Sequence, residues 1–143
     1  MRHPLHILLV EDNAGDVKLT RMAIERGGKP DSLQVVGDGV EALSYLRREL
    51  PYDGALRPDL VLLDLNLPRM DGAEVLREVK ADPALERIPV VILTSSEARD
   101  DIERCYGLRA NAYVTKPVEL RRYMAVVQNL GEFWASLAQL PRG

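Results

Sequence analysis

The sequence predicts an α/β fold, a five-stranded parallel sheet with helices on both faces. Five short apolar runs recur, at residues 7–10, 33–36, 60–63, 90–93 and 112–114. Each run is followed by a stretch whose apolar residues keep helical spacing, and such alternation is the pattern of a parallel sheet covered on both sides. All five runs are too uniformly apolar for a half-exposed sheet.

The helices have readable limits. The first spans 14–26, and Gly27-Gly28 ends it. The second spans 40–48, with Ala42, Leu43 and Leu46 inward. Residues 51–58 then make a longer connection than a compact unit needs. The third spans 73–81, with Val75, Leu76 and Val79 inward, and Asp82-Pro83 ends it. The fourth, 98–108, has only the thin stripe Ile102, Cys105 and Tyr106, so it is the least firmly anchored.

The fifth helix carries two overlapping apolar stripes. Leu120, Tyr123, Met124, Val127, Leu130, Trp134 and Leu137 form one; Val126, Leu130, Phe133, Leu137 and Leu140 form the other. Both run past Gly131 to Pro141, further than the three to four turns that cross a small sheet. Residues 131–143 therefore read as a C-terminal extension. The excess apolar width predicts a partner surface, with Tyr123, Val127, Phe133 and Trp134 as candidates and a homodimer as the expected assembly.

Bulk properties narrow the function. A chain of 143 residues has the size of one domain with one sizeable core. A net charge of -3 and a pI of about 5.4 give no electrostatic case for binding nucleic acid, and there is no room for a second, basic output domain. No apolar run approaches a membrane span, and Met1-Arg2-His3-Pro4 leads straight into a strand, unlike a signal peptide. The lone Cys105 excludes an internal disulfide and a cysteine-based zinc site, so a cytoplasmic location is expected. His3 and His6 have no partner at metal-ligand spacing and read as surface or strand-end residues.

The chemistry sits where the apolar runs end. Glu11 and Asp12 close the first run and Asp64 the third; Thr94-Ser95-Ser96 close the fourth, and Thr115-Lys116-Pro117 the fifth. Open α/β sheets bind ligands outside the carboxyl ends of their strands, where strand order reverses. In the flavodoxin-like order 2-1-3-4-5 the first and third strands meet at that point. Three acids, a hydroxyl and an ammonium would then share one rim. Clustered carboxylates need a proton or a cation among them. Mg²⁺, which takes oxygen ligands and often one or two carboxylates plus phosphate oxygens, suits the set, and a carboxylate can act as nucleophile to form an acyl phosphate. Thr94 and Lys116 could hold the phosphoryl oxygens.

The ordered set Glu11-Asp12, Asp64-x-x-x-Pro68-x-Met70-Asp71-Gly72, Thr94-Ser95 and Lys116-Pro117 resembles the receiver domain of two-component response regulators. The resemblance covers about residues 5–137. It implies a domain that takes a phosphoryl group from the phosphohistidine of a sensor histidine kinase and later loses it by hydrolysis. Asp64 matches the phosphoacceptor, and Asp12 the direct ligand of Mg²⁺ or Mn²⁺, with Glu11 beside it acting through water. Asn66 matches the residue whose backbone carbonyl completes the metal site. Thr94 matches the mobile hydroxyl, Lys116 the phosphoryl-binding lysine, Tyr113 the aromatic switch, and Lys116-Pro117 the family's usual cis peptide. Glu at position 11 in place of Asp is a common variation.

The 51–58 insertion and the tail from Glu132 to Pro141 resemble the small single-domain regulators paired with bacterial phytochromes, whose extended last helix helps form a homodimer. Two other classes fit the sequence less well. An aspartyl-nucleophile phosphatase wants a second acid two residues after the first, and Asn66 stands there instead. A pseudo-receiver without phosphoryl chemistry would usually lack part of a site that this chain keeps whole. Gly72 reads as a glycine needed for unusual dihedrals before a helix, and Gly37-Asp38-Gly39 as turn chemistry before the second helix.

Overall fold

A computed structural model describes residues 5–27 and 30–141 of the chain. The elements run β1 (His6–Val10), α1 (Ala14–Gly27), β2 (Ser32–Val36), α2 (Gly39–Leu46), β3 (Leu60–Leu63), α3 (Gly72–Ala81), β4 (Val90–Thr94), α4 (Arg99–Gly107), β5 (Ala112–Thr115) and α5 (Leu120–Glu132), ending in a π-helical turn (Phe133–Leu137). Gly28, Met1-Arg2-His3-Pro4 and residues 142–143 lie outside the described residues.

All strand pairs are parallel and the order is β2-β1-β3-β4-β5, the order expected. β3 and β4 are buried along their whole length, because helices cover both faces and strands flank both edges. The two edge strands correct the expectation of uniform burial. Every residue of β5 is only half-buried, and β2 turns Gln34 to solvent. A strand with one neighbour keeps one side open, and the helices do not reach fully over it.

The alternation of side chains splits the core in two. Leu8, Val10, Leu63 and Ile92 face α2 and α3; Ile7, Leu9, Leu62 and Val91 face α1 and α5. Each such side chain contributes roughly 1.5–3 kcal/mol by leaving water. α2 and α3 open on matching caps, in which Asp38 accepts from the Glu41 amide (2.7 Å) and Asp71 from that of Glu74 (3.0 Å). α2 stops at Leu46, short of the expected 48, and Arg48 beyond it takes a left-handed φ of 55°. The 51–58 connection is tied back onto α2. The Tyr52 ring meets Tyr45 edge-on at 5.2 Å, and its hydroxyl donates to Glu41.

α5 corrects two of the expected partner residues. Tyr123 (4% exposed) and Val127 (0%) belong to the core between α5, α1 and the sheet. The Tyr123 hydroxyl hydrogen-bonds to that of Thr20 at 2.6 Å, so it is spent inside the chain. The helix also ends at Leu137 rather than running to Pro141, closing with an Ala138 amide to Phe133 carbonyl bond of 2.8 Å. That wider turn shifts the register. Trp134 and Leu140 pack inward, while Phe133 (47% exposed) and Leu137 (74%) face out.

Two glycines hold the loops at the carboxyl end of the sheet together. A Cβ on Gly72 would lie 2.1 Å from the Asp64 carbonyl oxygen, and one on Gly39 2.1 Å from that of Met70. Gly72 does not have a left-handed φ, so close approach to backbone, not unusual dihedrals, requires the glycine. Gly72→Ala is expected to destabilise the fold by about 1–3 kcal/mol, the usual range for overpacking, as a lower urea midpoint at unchanged slope.

Candidate functional site

The strand ladders continue one residue past the strands and so fix the site's backbone. The Asp64 amide donates to the Val10 carbonyl (3.1 Å), that of Glu11 to Val36 (3.1 Å), and that of Lys116 to Thr94 (2.7 Å). Asp64, Glu11 and Lys116 therefore emerge together where strand order reverses. Lys116 Nζ lies among the acids, donating to Glu11 Oε1, to Asp16 Oδ2 (3.0 Å) and to Asp64 Oδ2 (3.0 Å). Those three bonds use all three ammonium hydrogens. Glu11, Asp64 and Lys116 are each buried, at 4%, 7% and 8% exposed.

A buried cluster of two acids and one lysine carries unbalanced negative charge. Burial raises the Glu11 carboxyl to about 7; the hydrogen bond from Lys116 opposes this, and Asp64 adds to it. Burial alone would lower Lys116, but the hydrogen bonds it donates to Glu11, Asp16 and Asp64 outweigh it and hold the ammonium above its ordinary range. Asp12 and Asn66 lie at the exposed rim, and the Asn66 amide donates to Asp64 Oδ1 (3.2 Å).

The hydroxyl side of the site is equally defined. Thr94 is fully buried at the end of β4, with its Oγ1 3.5 Å from the Ser96 amide. Tyr113 is half-buried against the β4–α4 loop, its hydroxyl donating to the Ser96 carbonyl (2.9 Å). Ser96 also donates to Asp101 (2.5 Å), which ties the loop to α4. α4 itself buries only Cys105, in keeping with its thin stripe, and a cavity of about 100 Å³ lined by Leu65, Asn66, Asp71, Asp101 and Cys105 separates it from the β3–α3 loop. The Lys116–Pro117 bond corrects an expectation, since the one cis bond among the described residues is Leu50–Pro51. An X–Pro bond prefers trans only weakly, so either isomer is open to it.

Asp16 and Tyr106, the latter expected only in the thin stripe of the fourth helix, also join the site. Asp16 stands in the first turn of α1, and its signal is that this turn starts directly beyond Glu11-Asp12 and must overhang the same rim. The Tyr106 hydroxyl accepts from the Tyr113 amide (3.2 Å), a contact that the sequence does not encode by spacing.

A family model described as the response regulator receiver domain matches residues 7–128. The chain belongs to that family. Its relatives include Response regulator Rcp1 of Synechocystis sp., 41% identical over 138 residues, covering 96% of this chain and 94% of the relative. Among solved structures, the phosphorylated cyanobacterial phytochrome response regulator RcpA superposes with a TM-score of 0.94 at 48% identity, covering 98% of this chain and 100% of that one. The Mn²⁺-bound form of Rcp1 superposes with a TM-score of 0.92 at 41% identity, covering 97% and 100%. The receiver is thus related to phytochrome-associated response regulators, and its sheet and helices have the flavodoxin-like receiver arrangement. Among its described residues, no helix is long and apolar enough to cross a membrane.

The receiver's rim fits a hard divalent cation by its chemistry. Among the described residues, no three His, Cys, Asp or Glu side chains already converge as a metal cage, because the Lys116 ammonium stands between Glu11 and Asp64 while Asp12 faces outward. The donors are nevertheless all oxygens, and two of them belong to the buried carboxylates of Glu11 and Asp64. Glu11 sets a pH dependence. Its proton is held more tightly in the folded than in the unfolded chain, so its contribution to stability is full below pH 4.5 and is lost as pH rises through about 7. With a chelator present, the stability difference between wild type and Glu11→Gln should fall by up to about 3 kcal/mol from pH 4.5 to pH 8, read from urea midpoints; a difference that stays flat or rises would contradict the assignment.

Proposed function

We propose that this receiver accepts a phosphoryl group on Asp64 from a sensor histidine kinase, a bacteriophytochrome among the candidates, and signals through the surface of α4, β5 and α5. The observation that carries this reading is the Lys116 ammonium held between the buried carboxylates of Glu11 and Asp64. A phosphoryl group arriving at Asp64 meets a charge already in place. An Asp64 carboxylate oxygen attacks phosphorus, the phosphorus–nitrogen bond of the donor breaks, and the leaving imidazole keeps its electron pair and takes a proton from solvent. Lys116 and the Thr94 hydroxyl bind the phosphoryl oxygens. Asp12, Asp64 and the Asn66 carbonyl would hold Mg²⁺ or Mn²⁺, with Glu11 acting through water, and the ion would supply charge to offset the carboxylates and the phosphoryl group.

The switch follows from packing. Thr94 moves toward the new oxygens, Tyr113 turns further into the space it leaves, and Pro117 guides the backbone beyond Lys116. Tyr113 already rests on the β4–α4 loop through Ser96, so its movement is transmitted to Asp101 and α4. The thin anchorage of α4 lets two arrangements lie close in energy. The family relation to phytochrome-associated regulators supports the choice of kinase. The signalling form in this reading is a cytoplasmic homodimer, and the homodimer is supported by the outward Phe133 and Leu137, with Trp134 bracing Phe133 edge-on at 5.3 Å.

Incubation with acetyl phosphate and Mg²⁺ should give a base-labile phosphoprotein. Label should vanish without the metal and in Asp64→Asn. Unlabelled wild type at ample donor would reject phosphoryl chemistry and leave a binding module. Light scattering on the same samples should show a dimer that Phe133→Glu shifts to monomer, while Tyr123→Phe loses about 1 kcal/mol of stability without changing size.

A further inference from the structure

We propose that Asp16 is a positioning residue of this site, one that takes Lys116 over when a divalent cation claims the carboxylates of Glu11 and Asp64. The proposal rests on the phosphoacceptor reading of the site. All three ammonium hydrogens of Lys116 are engaged, and two of their acceptors are the acids that suit a metal. A dication arriving there repels the ammonium, so Lys116 has to give up one or both of these bonds. Its backbone cannot follow, because the amide is held by Thr94 at 2.7 Å and proline comes next. The side chain must swing, and it needs a carboxylate that the metal does not use.

Asp16 meets that need. Its Oδ2 already lies 3.0 Å from Lys116 Nζ. Its side chain is 34% exposed, against 3% for Glu11 and 9% for Asp64, which places it at the rim rather than inside the acid cluster. Its backbone is fixed in the first turn of α1, where the Asp16 amide donates to Asn13 Oδ1 at 2.9 Å. A lysine parked on Asp16 stays charged, stays beside Asp64, and can return to a phosphoryl oxygen without crossing solvent. A carboxylate at this place lowers the cost of admitting the metal and keeps the phosphoryl-binding group close.

The alternative is a partly exposed ion pair with no role in the site, worth little by itself. A double-mutant cycle in Mn²⁺ affinity separates the two, using calorimetric titration with Mn²⁺ alone. If Asp16 relays Lys116, Asp16→Asn should weaken Mn²⁺ binding about tenfold, about 1.4 kcal/mol, but change it by less than about twofold in a Lys116→Met background, and Asp16→Glu should restore most of the loss. Equal weakening in both backgrounds would mean that Asp16 acts on the metal only through its charge and would overturn the proposal, as would no weakening in either. Labelling of wild type by acetyl phosphate is scored separately. Its failure would reject the phosphoacceptor reading, whereas the cycle judges Asp16 on metal binding alone.

Discussion

One ammonium group organises the carboxyl end of this sheet. Without Lys116, the side chains of Glu11 and Asp64 would stand buried and adjacent with nothing to offset them, and a buried unpaired charge is among the most expensive features a fold can carry. The chain does not avoid the conflict by exposing the acids. It fixes their backbones by continuing the ladders of β1 and β3 by one residue each, and sends a lysine across from β5. The arrangement keeps two carboxylates out of water around one ammonium, and burial, with Asp64 adding to it, holds the Glu11 carboxyl well above its ordinary range. Two buried carboxylates sharing one ammonium are what distinguish this cluster from a structural salt bridge at the surface.

The surrounding packing serves to keep this rim from relaxing. Gly72 lets α3 start against the backbone of Asp64, and Gly39 lets α2 start against that of Met70. The β3–α3 loop is thus held from two sides, and Arg69 within it keeps a left-handed φ of 67° while pairing with Asp38 at 3.6 Å. The other side of the site is built differently. The β4–α4 loop is held by hydroxyls, those of Tyr113, Ser96 and Thr115, and hydroxyl contacts can be exchanged more cheaply than backbone packing can be undone. Rigidity lies on the side of Asp64 and adaptability on the side that leads to α4.

The fold was legible because period and burial agree in the central strands. The run 60–63 and its terminal acid could hardly be anything but a buried strand opening onto a polar rim. The edges were less legible, since Gln34 in β2 and Tyr113 in β5 interrupt runs that otherwise look buried, and that each strand has only one partner is a tertiary fact. The last helix misled for a related reason. A stripe on a helix shows that a face is apolar but not which surface covers it, and Tyr123 and Val127 turned out to be covered by α1 and the sheet. The change of register at Phe133–Leu137 has no signature in residue spacing, because it depends on how the chain end packs. Gly72 was recognised as necessary but for the wrong cause, because close approach of two backbones is a tertiary fact. Asp16 escaped notice because an acid in the first turn of a helix already has an ordinary explanation.

Cys105 is the only cysteine in the chain and lies 1% exposed beneath α4, the one buried side chain of that helix. Burial pushes its thiol above the usual range, so in the packed state it is both shielded and poorly ionised. A thiol reagent can therefore reach it only while α4 is lifted from the sheet. The thiol is thus a built-in clock for the opening of α4, one that needs no added probe and reads the closed state as silence.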